Sequence, residues 1–372
     1  MTVYRATSSG EATAVDVVVI GAGQAGLSAA YHLRRRGFEP YEGFVVLDAD
    51  SAPGGAWAHR SPSLRMATVH GFHDLPDFEL PAPDPTAPAR EVVPGYFAAY
   101  EARHALPVVR PVRVQAVRPL PRSEAGEGRL LIETDAGRWS ARALINATGT
   151  WTRPFLPRYP GHFAGRQLHY VDYRGPEDFA GQRVVVVGGG ASAIQVLSEV
   201  AEVAETLWVT RTPPVYHDGP FTPEVGRAVV AKVEERVRQG LPVASVVSVT
   251  GLGPSVAYRR AEALGALDRH PMFDRLTEHG VAWGEREHAA DTIIWATGFR
   301  PEIAHLAPLG LRNPGGGIQL DGTRAVADPR IHLVGYGPSA STVGANRAGR
   351  AAVNAIVELL GEPSGARVPA HP

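Results

Sequence analysis

The chain carries one short design twice, and few folds accommodate that. Val17 to Gly26 reads VVVIGAGQAG and Val184 to Ala193 reads VVVVGGGASA: four apolar residues, a glycine turn, then a helix-compatible run. An unbroken apolar run suits a strand buried on both faces, as in a parallel sheet. Gly21 permits a sharp exit from the strand, Gly23 removes a side chain where a pyrophosphate approaches, and Gly26 lets helix and strand pack closely. Gly188, Gly190 and Ala193 repeat that spacing with alanine in third place. The free N–H groups and positive end of each following helix favour an anion. The fold class predicted is α/β, with two Rossmann-like dinucleotide-binding domains.

The strand beyond each turn separates the two sites. Phe44 to Leu47 is a second apolar run, and Asp48 stands at its end, about 20 residues beyond Gly26, where a carboxylate recognises ribose hydroxyls. Asp50 is an alternative two residues on. In the second unit the run Leu207 to Val209 ends at Thr210 and Arg211. A guanidinium there binds a ribose 2′-phosphate that a carboxylate would repel, so the second site reads as one for NADPH.

Composition removes several classes of function. A net charge of −1 gives no nucleic-acid footprint and no polybasic membrane patch. Lys232 is the only lysine, which with abundant Ala, Gly and Pro reads as coding bias. The first residues lack a secretory pattern and no apolar run reaches membrane-span length, so a soluble cytoplasmic protein is expected. With no cysteine, disulfides, thiolate metal sites and a cysteine nucleophile are excluded. A length of 372 residues corresponds to two or three domains of about 150 residues.

Between the two designs, Pro53 to Trp57 forms a glycine-rich turn, and Arg60 to Pro94 reads as a long irregular segment. Trp57, His59, His70, Phe72 and His73 make it a candidate active-site wall. Glu91 to His104 predicts a helix, with Tyr96, Phe97 and Tyr100 packing into the core, and Val112 to Val117 and Arg129 to Thr134 predict strands. Gly137-Arg138 marks a turn, and Ala143 to Gly149 a further strand. The stretches INATG (Ile145 to Gly149) and IWATG (Ile294 to Gly298) match each other, and each is followed by a proline, Pro154 and Pro301. As crossings between domains, they predict an NADPH unit at 154–296 inserted into a flavin unit at 1–153 and 297–372. Between Asp218 and Arg286 only helices such as Glu224 to Gln239 are expected, and the C-terminus reads as a strand, Ile331 to Gly337, then a helix, Gly344 to Leu360.

Phe163, Gly165, His169 and Tyr173 compose the pattern FxGxxxHxxxY just ahead of the second glycine turn. With GAGQAG, PGGAW, ATGTWTRPF, GGGASA, VTR and ATGFRP in this order, the chain resembles the flavin-containing monooxygenase superfamily, in particular its compact bacterial members. The resemblance implies FAD at the first site and NADPH at the second, with dioxygen and a small-molecule substrate as partners. It implies oxygen transfer to a nitrogen, sulfur or ketone centre through a C4a-(hydro)peroxyflavin. The cofactor residues it implies are Gly21, Gly23, Gln24, Gly26, Asp48, Gly55, Trp57, Thr148, Gly149, Gly188, Gly190, Ser192, Ala193, Thr210, Arg211, Thr297, Gly298, Gly335 and Thr342. Ser341, Thr342 and Asn346 are candidates to face the flavin, or, for the first two, to cap the last helix.

Animal-type members carry an asparagine near the oxygen-binding face where this chain has Thr68 and Val69. Thr68, His70 and Asn346 are therefore the catalytic candidates. That departure keeps a second reading in view, an NADPH-dependent flavin reductase or oxidase passing electrons to a quinone, another acceptor or O2. A thioredoxin-reductase-type mechanism needs a cysteine pair and is set aside. A non-catalytic redox-sensing nucleotide binder ranks last, and a homodimer is compatible with the sequence.

Overall fold

Parallel pairing around the first apolar run builds the larger sheet. The computed structural model describes residues 11–69, 72–120, 128–216, 223–243 and 251–361. Strand β1 (Thr13–Ile20) runs beside β2 (Phe44–Leu47), with Val17 opposite Phe44 and Ile20 opposite Leu47. Short β3 (Val108–Val109) extends that edge in parallel. Strands β4 (Val114–Pro119), β5 (Leu130–Thr134) and β6 (Gly137–Asn146) form an antiparallel meander whose last member lies parallel to β1 on its other side. Val17, Val18 and Val19 are fully buried, as an interior strand covered on both faces requires.

Several boundaries differ from the expectations, each for a local reason. The strand expected at 143–149 is the end of the ten-residue β6, which stays continuous because it is laddered to β1 and β5 together. The strand expected from Val112 starts at Val114, since the Val112 N–H is spent on Asp48 O, 2.7 Å away. Helix α1 (Gln24–Arg35) begins directly after Gly23. Helix α2 (Ala89–Arg103) starts two residues earlier than expected and contains Pro94. A Cβ on Gly54 would stand 2.8 Å from Pro94 Cγ, so this helix holds the PGG turn by direct contact. Tyr96, Phe97 and Tyr100 are buried as expected, and the two hydroxyls also pin the irregular segment: Tyr96 accepts from Leu75 N at 2.7 Å and Tyr100 donates to Pro76 O at 3.0 Å.

The second sheet repeats the plan. Strands β7 (Arg166–His169), β8 (Arg183–Val187), β9 (Glu205–Thr210) and β10 (Arg269–Pro271) are followed by the antiparallel trio β11 (Arg275–Thr277), β12 (Gly280–Trp283) and β13 (Arg286–Ala289), and then by β14 (Thr292–Trp295). The parallel order is β10-β9-β8-β14-β7, so β8 lies between β9 and β14 as β1 lies between β2 and β6. Helix α3 (Ala191–Val200) follows β8, and 201–203 continue only as turns.

Helix α4 (Pro223–Arg238) belongs to the second unit by sequence but packs on the first. Val237 joins the cluster of Ile303, Leu306 and Tyr336, and Gly317 N donates to Gly240 O at 3.0 Å. The chain returns through β15 (Leu320–Asp321), β16 (Arg324–Ala325) and β17 (Ile331–Leu333), the last parallel to β6, and ends in the helix Thr342–Leu360 against α1. That helix starts two residues before Gly344 because Ser341 Oγ caps it, accepting from Gly344 N at 3.1 Å. Among the described residues, no helix is long and apolar enough to cross a membrane.

Candidate active site

The two glycine turns match almost atom for atom. Gly21 N donates to Leu47 O at 2.8 Å and Gly188 N to Val209 O at 2.9 Å, while Ala147 N donates to Ile20 O and Ala296 N to Val187 O, both at 2.8 Å. Both glycines have positive φ, +100° and +144°. A Cβ on Gly21 would lie 2.7 Å from Ala147 O, and one on Gly188 would lie 2.2 Å from Ala296 O. The first alanine of each Ala-Thr-Gly stretch thus presses on the first glycine of each turn, and only glycine fits.

The middle glycines have the opposite surroundings. A Cβ on Gly23 or Gly190 would meet nothing within 4 Å, although each is the N-cap of its helix and offers no side-chain cap. Each turn therefore leaves an open cradle before uncapped helical N–H groups, the arrangement a phosphate fits. Gln24 Oε1, beside the first cradle, is buried without a partner. Gly26 lies beneath, where a Cβ would stand 1.8 Å from Gly21 O, and Ala193 takes the corresponding buried place.

Both cradles open on a single cleft of about 1260 Å³, larger than the roughly 300–1,000 Å³ pocket of one drug-sized ligand. Gly21, Gly23, Gln24, Asp48, Gly55, Trp57, Thr148, Gly149, Gly188, Gly190, Ser192, Thr210, Arg211, Thr297, Gly298, Gly335 and Thr342 all line it. Asp48 is buried at the end of β2, and Asp50 N donates to its Oδ1 at 3.1 Å. Burial pushes the Asp48 carboxyl above its ordinary pKa, against the pull of Arg110 at 3.4 Å. Asp50 also lines the cleft and pairs with His59 at 3.0 Å. Thr210 is buried and Arg211 exposed at the end of β9.

The catalytic candidates fare differently. Thr68 does not line the cleft, and its hydroxyl donates to Arg65 O at 3.0 Å within a turn of 3₁₀ helix. Asn346 also stands behind the wall: it accepts from Gln24 Nε2 at 3.1 Å and donates to Asp74 O at 2.6 Å, tying α1 to the irregular segment. Through Gln24 it is coupled to a residue that lines the cleft. His70 lies outside the described residues. Among the described residues, no group of His, Cys, Asp and Glu is arranged to hold a metal.

Two features of the site escaped sequence reasoning. The first is a row of rings along the cleft. Trp151 stacks on Phe299 at 5.0 Å, the edge of Phe299 meets His169 at 5.0 Å, and Arg60 lies over Trp151 and Trp57. Trp151 stands two residues after the first Ala-Thr-Gly stretch and Phe299 one after the second, an aromatic near each that was legible; Arg60, in a proline-rich loop, carried no signal. The second is His305, buried at the cleft wall, with Nε2 2.6 Å from Asn146 Oδ1 and a pKa lowered to about 4 by burial. The two stretches themselves run side by side, with Phe155 N donating to Gly298 O at 3.0 Å and Glu302 N to Gly149 O at 2.9 Å.

Residues 18–318 match the family model described as pyridine nucleotide-disulphide oxidoreductase. A flavin-containing monooxygenase from Stenotrophomonas maltophilia is 39% identical, with 93% of this chain and 99% of that one covered, at a TM-score of 0.78. The chain belongs to the flavin monooxygenase superfamily. This flavin monooxygenase homologue is a flavin-dependent oxidoreductase. It is also 26% identical over 316 residues to the uncharacterized oxidoreductase CzcO of Bacillus velezensis, covering 82% of this chain and 86% of that protein. The bacillithiol disulfide reductase Bdr (YpdA) of Bacillus cereus, 18% identical with 93% and 99% covered and a TM-score of 0.66, shares the fold. This superfamily member has no cysteine in its 372 residues, so a thiol relay finds no residue in this chain.

Proposed function

We propose that the enzyme is an FAD- and NADPH-dependent monooxygenase of small molecules. FAD occupies the turn of Gly21, Gly23 and Gly26, and NADPH the turn of Gly188, Gly190 and Ala193. Residues 1–153 and 297–372 form the flavin unit and 154–296 the nicotinamide unit, with 223–243 docked back on the former. The oxygen acceptor is a nitrogen, sulfur or ketone centre, and transfer proceeds through a C4a-(hydro)peroxyflavin. The observation that carries this reading is that two equivalent open cradles face one cleft, so two dinucleotides meet there.

When bound, the flavin supplies hydride acceptance and oxygen activation; the chain supplies position, charge and dryness. Asp48 accepts from the FAD ribose, and Arg211 binds the 2′-phosphate that marks NADPH. Trp57, Trp151 and Phe299 make an apolar wall that keeps water from the junction of the two sites.

Stopped-flow absorbance tests the reading. The flavoprotein is reduced anaerobically with NADPH, mixed with oxygenated buffer and followed through the flavin spectrum. A C4a-adduct absorbance lasting seconds supports oxygenation and opens a screen of amines, sulfides and ketones. Direct return to oxidised flavin with stoichiometric peroxide overturns it in favour of a reductase or oxidase.

A further inference from the structure

Among the described residues, Arg60 is a half-buried cation of the cleft that the proposed chemistry leaves without a task. Its guanidinium carbon lies 4.6 Å from the Trp151 ring centroid and 5.5 Å from that of Trp57, between the loop after the first unit's PGG turn and the first crossing. Its Nε is buried without a partner. Burial lowers its pKa, and no carboxylate contributes to holding its charge. A guanidinium removed from water calls for an anion, and the described residues offer none beside it.

Its polar neighbour shows where such an anion belongs. Arg60 lies within electrostatic reach of the Tyr170 hydroxyl, which also neighbours the side chain of Ser192, the second residue of α3. Tyr170 donates its single proton to Gln195 Oε1 at 2.8 Å, so its oxygen turns lone pairs, not a proton, toward Arg60. Gln195 in turn donates to Glu199 at 3.1 Å, whose other oxygen accepts from Tyr173 at 2.7 Å, so the nearest carboxylate of the network is already engaged. Arg60 and the α3 N-terminus thus bring two positive poles to one place. They repel across an empty space and attract jointly across an anion.

We propose that Arg60 is a pyrophosphate anchor, a guanidinium carried by the flavin unit that binds the NADPH pyrophosphate seated before Gly190 and thereby closes the cleft on the coenzyme. The inference rests on NADPH occupying the second turn. It makes binding of the coenzyme, whichever ribose it carries, depend on a residue outside the nicotinamide unit.

The test is equilibrium binding to the FAD-loaded enzyme, read from perturbation of the flavin spectrum, with NADP+, NAD+ and 2′-phospho-ADP-ribose as ligands. The last has the pyrophosphate but no nicotinamide. Arg60→Gln should raise all three Kd values by one common factor, about ten- to a hundred-fold, leaving the NADP+/NAD+ ratio unchanged. Arg60→Lys keeps the charge but loses the planar fork and should raise them by a smaller common factor, about three-fold; it carries the test if the glutamine variant does not retain FAD. Kd values within about two-fold of wild type for all three ligands overturn the anchor, as does a loss confined to NADP+ or to ligands with the nicotinamide ring. Arg211→Ala is the control for the seat, expected to weaken NADP+ and 2′-phospho-ADP-ribose but not NAD+. If Arg211→Ala moves NADP+ and Arg60→Gln moves nothing, the seat stands and the anchor falls; if neither moves it, the seat itself is wrong.

Discussion

His169 Nε2 lies 3.0 Å from the carbonyl oxygen of Gly298, joining the FxGxxxHxxxY motif to the return crossing between the two sheets. Its Nδ1 accepts from Val171 N at 3.1 Å, which fixes the ring as the neutral Nε2–H tautomer, donating to Gly298. Burial lowers its pKa and so keeps it neutral. His169→Ala leaves Val171 N without a partner and Gly298 O with Phe155 N alone, and should destabilise the folded enzyme by about 1–3 kcal/mol. Chemical denaturation of the FAD-loaded protein checks this, and an unchanged midpoint would mean that the histidine does not hold the crossing.

The paired glycines predict opposite defects in neighbouring positions. At Gly188 the positive φ and the approach of Ala296 O force the backbone to move, so Gly188→Ala should cost more than about 2 kcal/mol of stability. Gly190 is extended, with open space around it, so Gly190→Ala should change stability by less than about 0.5 kcal/mol. Its methyl instead fills the cradle, and the NADP+ Kd should rise at least about ten-fold. Thermal unfolding and coenzyme titration on the two variants separate fold from function.

Under the proposed function, Arg211 is the residue that decides between coenzymes. A charge-assisted contact contributes about 1.5–3 kcal/mol, so Arg211→Ala should lower the preference for NADPH over NADH roughly ten- to a hundred-fold. Steady-state NAD(P)H oxidation at limiting coenzyme measures the ratio. Equal losses with both coenzymes would place the 2′-phosphate elsewhere.

His305 gives the stability a pH dependence. Its pKa in the folded state is about 4, below the ordinary 6.5, because burial disfavours the charged ring. A histidine depressed on folding contributes its full share above pH 6.5; as pH falls toward 4 the unfolded chain takes a proton that the folded one refuses, and stability is lost. One such ring corresponds to roughly 2 kcal/mol at pH 5. Wild-type unfolding followed from pH 7 to pH 5 should show this slope, and His305→Gln should flatten it by that amount. His332, likewise buried with a pKa of about 4, keeps its own share in that variant.

Both dinucleotide units were legible in the sequence because their physics is local. A buried parallel strand needs an unbroken apolar run, the turn after it needs glycine where a Cβ has no room, and the helix beyond starts at once. Strand ends are local too, which is why Asp48 and Arg211 were readable as residues at the ends of β2 and β9, where both line the cleft. What the sequence left undecided depends on contacts between distant segments. Thr68 and Asn346 read as catalytic candidates by position along the chain, and only the fold brings them their partners, Arg65 O for Thr68 and Gln24 and Asp74 O for Asn346. Residues 223–243 fall between strands of the second unit but bury Val237 against the first, since the apolar surface around Tyr336 lies in reach only after folding. Arg60 gains its surroundings from Trp57, Trp151 and Tyr170, residues up to 110 positions away, and periodicity along one chain carries no trace of a meeting made in three dimensions.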